Sequence, residues 1–344
     1  MDNNSIYINS FSQISVQEPL SENWTTNPII YQNEKLVKIK DPDYKEYYPA
    51  NIIRRNGKVL RRAMLVSQTA LKNSELTQVD GVFTGSGLGC VENTEAFLQQ
   101  IVYEGEEFLK PTYFMQSTHN TISSVIGIAL NCKGYNSTYC HKGISFESAL
   151  LDAYLQIKSG KINSGFVCGF DEMSNTYFSI LERAGYLGGK SIGFAGESSA
   201  GCIISNKLTN NSLCKISSVR IGYTQKPEEI EKLLNQALYD SNLTINNIDL
   251  VMTGINGNPE NDEAYTKNLE YLNIRCAKLG FAQLFGESYS GSVYGVYGSA
   301  LCLKKSQVIT PLKIDNKTSE KIENILIYRH FRNKDHAFII LQKC

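Results

Sequence analysis

The chain has 344 residues, and its 34 Lys+Arg balance its 34 Asp+Glu, so the formal net charge is zero. That balance excludes the basic surplus of a nucleic-acid-binding protein, and no like-charge run marks a membrane-surface patch. A hydrophobic content of 42% fits a globular chain with one large core or two fused halves.

The polar, alternating stretch 1–17 has no charged start followed by an apolar core, so no signal peptide is expected. Ser5–Ser15 reads as a first strand. Residues 17–56, rich in Pro, Asn and Tyr, read as an irregular excursion. Apolar spacing predicts a helix over Val59–Leu71. Val82 and Phe83, followed by glycines at 85, 87 and 89, predict a strand ending in a tight turn, and Val91–Tyr103 a further helix. Ser117–Leu130 carries Ile122, Val125, Ile126, Ile128, Ala129 and Leu130. A helix apolar nearly all round is expected to be buried on every side, in a core or at a large subunit interface.

After a short extended segment at Asn136–Tyr139, Gly143–Ser159 has a 3.6-residue stripe of Phe146, Ala149, Leu150, Ala153, Tyr154 and Ile157. Gly165–Gly169 and Ala200–Ser205 read as buried strands. The plan then repeats. Cys214–Gly222 and Leu250–Thr253 read as strands, Glu228–Leu238 and Glu260–Leu272 as helices, and Gly291–Leu303 as a glycine-punctuated helix. Ile322–Tyr328 and Ala337–Leu341 close the chain as strands. Alternating strands and helices predict an α/β fold with parallel sheets covered by helices. The repeat predicts two halves, 1–208 and 209–344, joined in the polar stretch 206–211.

No apolar run approaches the roughly 20 residues needed to cross a bilayer. The nine cysteines are odd in number and form no C-x-x-C pair, which argues against a disulfide framework or a zinc site. Cys132, Cys168, Cys202 and Cys302 sit in apolar runs as small hydrophobes, and a reducing cytoplasm fits best.

Five local patterns, in order, resemble those of the β-ketoacyl synthases. They are Gly85-Ser86-Gly87-Leu88-Gly89; Gly134-Tyr135-Asn136; Gly169-Phe170-Asp171-Glu172; Gly193-Phe194-Ala195-Gly196-Glu197 with Ala200-Gly201; and Gly291-Ser292-Val293-Tyr294-Gly295 with Gly298. The resemblance runs almost end to end and implies a thiolase-like fold of two duplicated α/β halves in αβαβα layers. Gly291, Gly295 and Gly298 clear one helix face, which allows the close backbone approach a buried helix needs.

The chemistry of that family does not follow its scaffold. The resemblance implies a Cys nucleophile at a helix N-terminus, where backbone amides and the helix dipole favour a thiolate. Counting back from Ser159-Gly160 places that position on Gly143. The family's first catalytic His falls on Asn256, in Gly254-Ile255-Asn256-Gly257-Asn258-Pro259, and its second on Ser292. A family Lys is matched by Glu287. The glycine-rich gating loop is matched by Phe331-Arg332-Asn333-Lys334, which is not expected to form the same glycine turn. No position supplies an acyl acceptor.

Two other side chains compete for a nucleophile's role. Cys140 precedes His141, but neighbours in an extended strand face opposite sides. Ser145 lies in a first helical turn, where serine usually caps. Asp171-Glu172 reads as a structural strand end, and His330 and His336 lack metal-ligand companions.

The resemblance therefore implies a chain-length-factor type of companion. It would form a heterodimer with an active ketosynthase, shape the acyl or polyketide cavity, and work with an acyl carrier protein, needing no cofactor. A local basic patch would suit an acidic carrier. Phe114, Met115, Gln116, Thr118, His119 and Asn120 are the expected interface, with Phe146 beside them at the cavity. Gly143 departs from the Gln common among aromatic chain length factors, and the short chain resembles partners in aryl-polyene or flexirubin-type pathways. Two alternatives stay open: an acyltransferase or ketosynthase variant using Cys140 or Ser145, and a stand-alone homodimer that binds an acyl chain or carrier protein.

Overall fold

The computed structural model describes residues 5–185 and 193–344; the first four residues of the stretch read for a leader lie outside the described residues. The chain begins with β1 (Ile6–Gln13), α1 (Ala50–Arg55), α2 (Lys58–Asn73), β2 (Gly81–Gly85), α3 (Val91–Glu104), α4 (Pro111–Met115) and α5 (Asn120–Ala129). It continues with β3 (Tyr135–Tyr139), α6 (Ser145–Lys158), β4 (Ser164–Asp171), α7 (Asn175–Arg183) and β5 (Ser198–Ser205). There follow β6 (Cys214–Tyr223), α8 (Pro227–Asp240), β7 (Leu250–Thr253), α9 (Pro259–Tyr271) and β8 (Ala277–Gly280). The chain closes with α10 (Ala282–Phe285), α11 (Ser292–Lys305), β9 (Asn324–Phe331) and β10 (Asp335–Gln342).

The ten strands run β3-β2-β4-β5-β1-β6-β10-β9-β7-β8. Counted outward from the β1–β6 seam, the strands on each side follow the same order: first, fifth, fourth, second, third of their own segment. Pairing is parallel only for β2 with β3 and β4, and for β7 with β8 and β9. The remaining neighbours are antiparallel, which corrects the expectation of parallel sheets. The hairpin between β9 and β10 shows why: a three-residue connection can only return the chain antiparallel.

Alternation along the strands sets the layers. Phe83 and Val167 point into one apolar cluster while Val82, Phe166 and Cys168 point into another. On the other side of the seam, Ile325, Ile327, Ile339 and Leu341 enter the first cluster, and Leu326, Tyr328, Phe338 and Ile340 a third. This period of two buries both strand faces. The shared cluster holds α6 and α11; α2 and α5 cover the sheet beyond β1, and α8 and α9 cover it beyond β6. The result is an α/β fold in αβαβα order.

Helix α11 is buried along twelve of its residues. A Cβ on Gly295 would lie 2.9 Å from Phe281 Cδ1, and one on Gly298 2.7 Å from Leu312 Cδ1, so both close approaches require glycine. Helix α5 differs from its expected form. It starts at Asn120, buries Ile122, Ser123, Ile126 and Gly127, and leaves Ile128 81% exposed. Helix α7 and strand β8 escape the sequence reading. The first buries only Phe178 and Leu181 over nine residues, and the second has four residues and no β-branched side chain.

Candidate functional site

Four elements carry the matched positions to one centre: the turn before α6, the loop between β7 and α9, the loop and first turn of α11, and the end of β9. Gly143 sits in the 3-10 turn Lys142–Ile144 just before α6. Its Cα faces the Phe331 ring. A Cβ on residue 143 would stand 2.5 Å from Phe331 Cγ and 2.9 Å from Phe331 Cβ. Tyr289 meets Phe331 edge to face at 5.7 Å and packs where a Cβ on Gly87 would go. The space a side chain at position 143 would use is therefore filled by an aromatic ring.

Phe331 enters the β9–β10 turn, where Arg332 has φ +55° and Asn333 φ +49°. Lys334 N donates to Phe331 O, closing the turn. The stretch Phe331-Arg332-Asn333-Lys334 thus forms a tight hairpin turn with left-handed angles although it holds no glycine. Asn tolerates the left-handed region, and Asn333 is held there by Asn268 Nδ2 at 2.8 Å and by its own N–H to His330 Nδ1 at 3.3 Å.

Asn256 lies in a loop fixed by Asp262, which accepts from the N–H groups of Asn256 and Gly257. Asn256 Oδ1 accepts from Asn258 N and Asn261 Nδ2, and its Nδ2 donates to Glu287 Oε2 at 3.3 Å. Glu287 pairs with Arg329 Nη2 at 2.7 Å, and the Arg329 side chain is only 3% exposed. Ser292, 1% exposed, turns its hydroxyl toward the fully buried Glu147 of α6, outside strict hydrogen-bond geometry. Burial pushes the Glu147 carboxyl up; Arg329 and Ser292 oppose that shift and Glu287 adds to it.

Gly143, Asn256, Ser292 and Glu287 thus gather around the inward face of β9, which carries Arg329 and Phe331. Arg329, Glu147 and Tyr289 went unnoticed in the sequence. One signal was there: Arg329 interrupts the apolar run Ile325–Tyr328, and Glu147 falls beside Phe146 at the head of the apolar stripe of α6.

Among the described residues neither competing nucleophile has a side-chain base as hydrogen-bond partner. Cys140 is exposed, and partial burial together with the Asp171 charge pushes its thiol up, away from the thiolate. Among the described residues no hydrogen bond joins it to His141, whose ring instead faces Ser148 Oγ at 3.3 Å and Asp335 Oδ1 at 3.8 Å. Ser145 is fully buried; its Oγ donates to Lys142 O and accepts from His141 N. It braces the turn.

Asp171 and Glu172 tie loops together. Asp171 accepts from Ser86 Oγ, Gly87 N and Leu88 N, and from Ser290 N and Oγ. Glu172 accepts from Val59 N and Glu92 N, in the first turns of α2 and α3. His330 and His336 are buried beside Tyr328. Among the described residues no group of three or more His, Cys, Asp or Glu is placed to hold a metal ion.

Of the seven residues expected at an interface or cavity, the six in the segment 114–120 are exposed or half-exposed. Phe114 is 58% and Met115 62% exposed, with Thr118 and Asn120 also exposed. Gln116 is anchored by Gly57 N and Arg55 O, and the His119 ring lies where a Cβ on Gly89 would stand. Phe146 stands apart: it is fully buried in the shared core. Among the described residues no helix is long and apolar enough to cross a membrane.

Residues 22–225 match the family model described as the N-terminal domain of β-ketoacyl synthase. No curated protein matches the sequence. Three solved structures share the fold over 99% of this chain. One is the ishigamide ketosynthase/chain length factor, at 14% identity and TM-score 0.83, with 99% of that chain covered. Another is a type II polyketide synthase acyl-carrier protein in complex with its ketosynthase bound to the hexaketide, at 13% identity and TM-score 0.80, 99% covered. The third is a ketosynthase in complex with its chain length factor from Xenorhabdus doucetiae, at 13% identity and TM-score 0.79, 98% covered.

Proposed function

We propose that this chain, which belongs to the β-ketoacyl synthase family, is a non-catalytic subunit of the chain-length-factor kind. It pairs with an active ketosynthase and shapes the cavity in which that partner's acyl or polyketide chain grows. One observation carries the reading: the Phe331 ring fills the place where a side chain at position 143 would begin. The centre lacks an acyl acceptor and also the room for one. A glutamate–arginine pair, Glu287 with Arg329, stands where decarboxylation would need neutral or cationic donors.

The exposed apolar side chains of α4 and α5, Phe114, Met115 and Ile128, support the pairing. Large apolar groups left exposed on the single chain are candidates for burial against a partner. Beside them Arg54, Arg55 and Lys58 are exposed, joined to Met115's neighbourhood by the Gln116–Arg55 bond. That basic margin suits an acidic carrier protein. The mirrored strand order on either side of the β1–β6 seam supports treating 1–208 and 209–344 as two halves. Nine free thiols, five of them buried, fit a reducing cytoplasm.

Gel filtration of the chain with a Cys-bearing ketosynthase of the same source tests the pairing, and intact-mass measurement after incubation with an acyl-loaded carrier protein tests the chemistry. The companion reading expects a mixed complex and no adduct on this chain. A stable acyl adduct on the pure chain favours the Cys140 or Ser145 enzyme instead. A self-associating chain that ignores every ketosynthase favours the homodimer.

A further inference from the structure

Glu147 is fully buried, and neither of its carboxyl oxygens has a hydrogen-bond partner. The groups that face it come from three other elements: Arg329 from β9, Glu287 from the loop before α11, and Ser292 from α11. Tyr265 of α9 and His330 lie beyond Arg329 and act on its charge rather than on Glu147 directly. One guanidinium therefore serves two acids. Its Nη2 is committed to Glu287 at 2.7 Å, while its Nε has no partner. An ionised carboxylate with no donor in a protein interior is far costlier than the neutral acid. Electroneutrality across Glu147, Glu287 and Arg329 is met when one acid keeps its proton, and the acid without a charged hydrogen-bond partner is Glu147.

We propose that Glu147 is carried as the uncharged carboxylic acid, and that its ionisation draws the Arg329 guanidinium toward it through the free Nε, pulling Nη2 off Glu287, and loosens the Phe331 plug. The link to the plug is the strand: Arg329 and Phe331 are two residues apart on β9 and share one face. The link to the rest of the centre is Glu287, which also holds Asn256 Nδ2. Burial raises the Glu147 carboxyl, against the pull of Arg329 and Ser292. A raised acid stabilises the fold at low pH and loses that contribution as pH rises through its folded value, so the plug loosens on the alkaline side. This inference goes beyond the companion role and does not depend on it.

Infrared difference spectroscopy of the full chain at neutral pH, wild type against Glu147→Gln, reads the proton directly. A protonated-carboxyl band present in the wild type and absent from the variant is expected; identical spectra overturn the proposal. Hydrogen exchange reads the coupling. Between about pH 7 and about pH 10, corrected for intrinsic exchange, the amides of Asn333 and Lys334 should lose on the order of tenfold protection in the wild type and keep it in Glu147→Gln. Equal protection in both removes the trigger. If Glu147→Gln does not fold, Ser292→Ala replaces it: losing the facing hydroxyl must shift the carboxyl band, and an unmoved band counts against the assignment.

Discussion

Phe331 and Gly143 exclude one another's alternatives: the ring packs so closely on the glycine Cα that no Cβ fits between them. Gly143→Cys should therefore destabilise the fold by at least about 1–3 kcal/mol, the usual cost of overpacking. Adding Phe331→Ala should recover part of that loss. Urea midpoints of the two single variants and the double variant check this. Additive losses would mean that the two sites do not touch energetically.

The buried histidines predict acid sensitivity. Burial holds His330 down to about 3 and His336 to about 4, with Arg329 and His336 adding to the shift at His330. Both are neutral in the fold and bind protons when unfolded below their ordinary value of 6.5. Stability is thus complete above that value and falls as pH drops toward 4, by up to about 1.4 kcal/mol per pH unit for each group. Glu172 acts in the opposite sense, since burial raises it to about 7 and its contribution is lost as pH rises through that value. His336→Gln should flatten the acid limb of the urea midpoint against pH; an unchanged limb would contradict the assignment.

Arg62 is 2% exposed and bridges Asp41 by Nε at 2.7 Å and Glu197 by Nη1 at 3.1 Å. Glu197 also accepts from Ile39 N and Met173 N. Arg62→Met leaves two carboxylates facing a gap without their cation and should cost about 3–5 kcal/mol. The excursion around residues 37–44 should then become the first segment cut by a protease. Limited proteolysis with mass mapping locates the cut, and unchanged resistance would show that the bridge holds little.

Ile128 offers a cleaner probe of partner binding because its side chain is mostly in water. Ile128→Glu should change folding stability by no more than about 0.5 kcal/mol. In a complex formed through this surface it should weaken affinity by about 2 kcal/mol or more, roughly thirtyfold. Thermal melting and titration calorimetry with the ketosynthase separate the two effects; full-strength binding would move the interface elsewhere.

Most of the layered plan was legible because burial on two strand faces and one helix stripe writes itself as apolar spacing. Gly165–Gly169 and Gly291–Leu303 landed within a few residues of β4 and α11. The apolar stretch 117–130 leaves Ile128 exposed on the single chain, because composition cannot say which face the rest of the same chain covers and which is left for another surface. The sequence singled out 143, 256, 287 and 292, and the fold brings these positions together. The rest of the centre was not legible, because Glu147, Arg329 and Phe331 meet only once β9 has been laid beside α6 and α11. Nor could residue type forbid the left-handed angles of Arg332 and Asn333, which the hairpin and the Asn268 bond impose.

The opening strand sits at the seam, hydrogen-bonded to β5 on one side and β6 on the other. Its partners are residues 200–205 and 214–216, so nothing made earlier by the ribosome can satisfy its backbone. At about 5–20 residues per second, the strand waits on the order of 10–40 s for them to be synthesised. During that time a segment as apolar as Ile6, Ile8 and Phe11 needs shelter, so translation speed and chaperone supply should govern the yield of this protein.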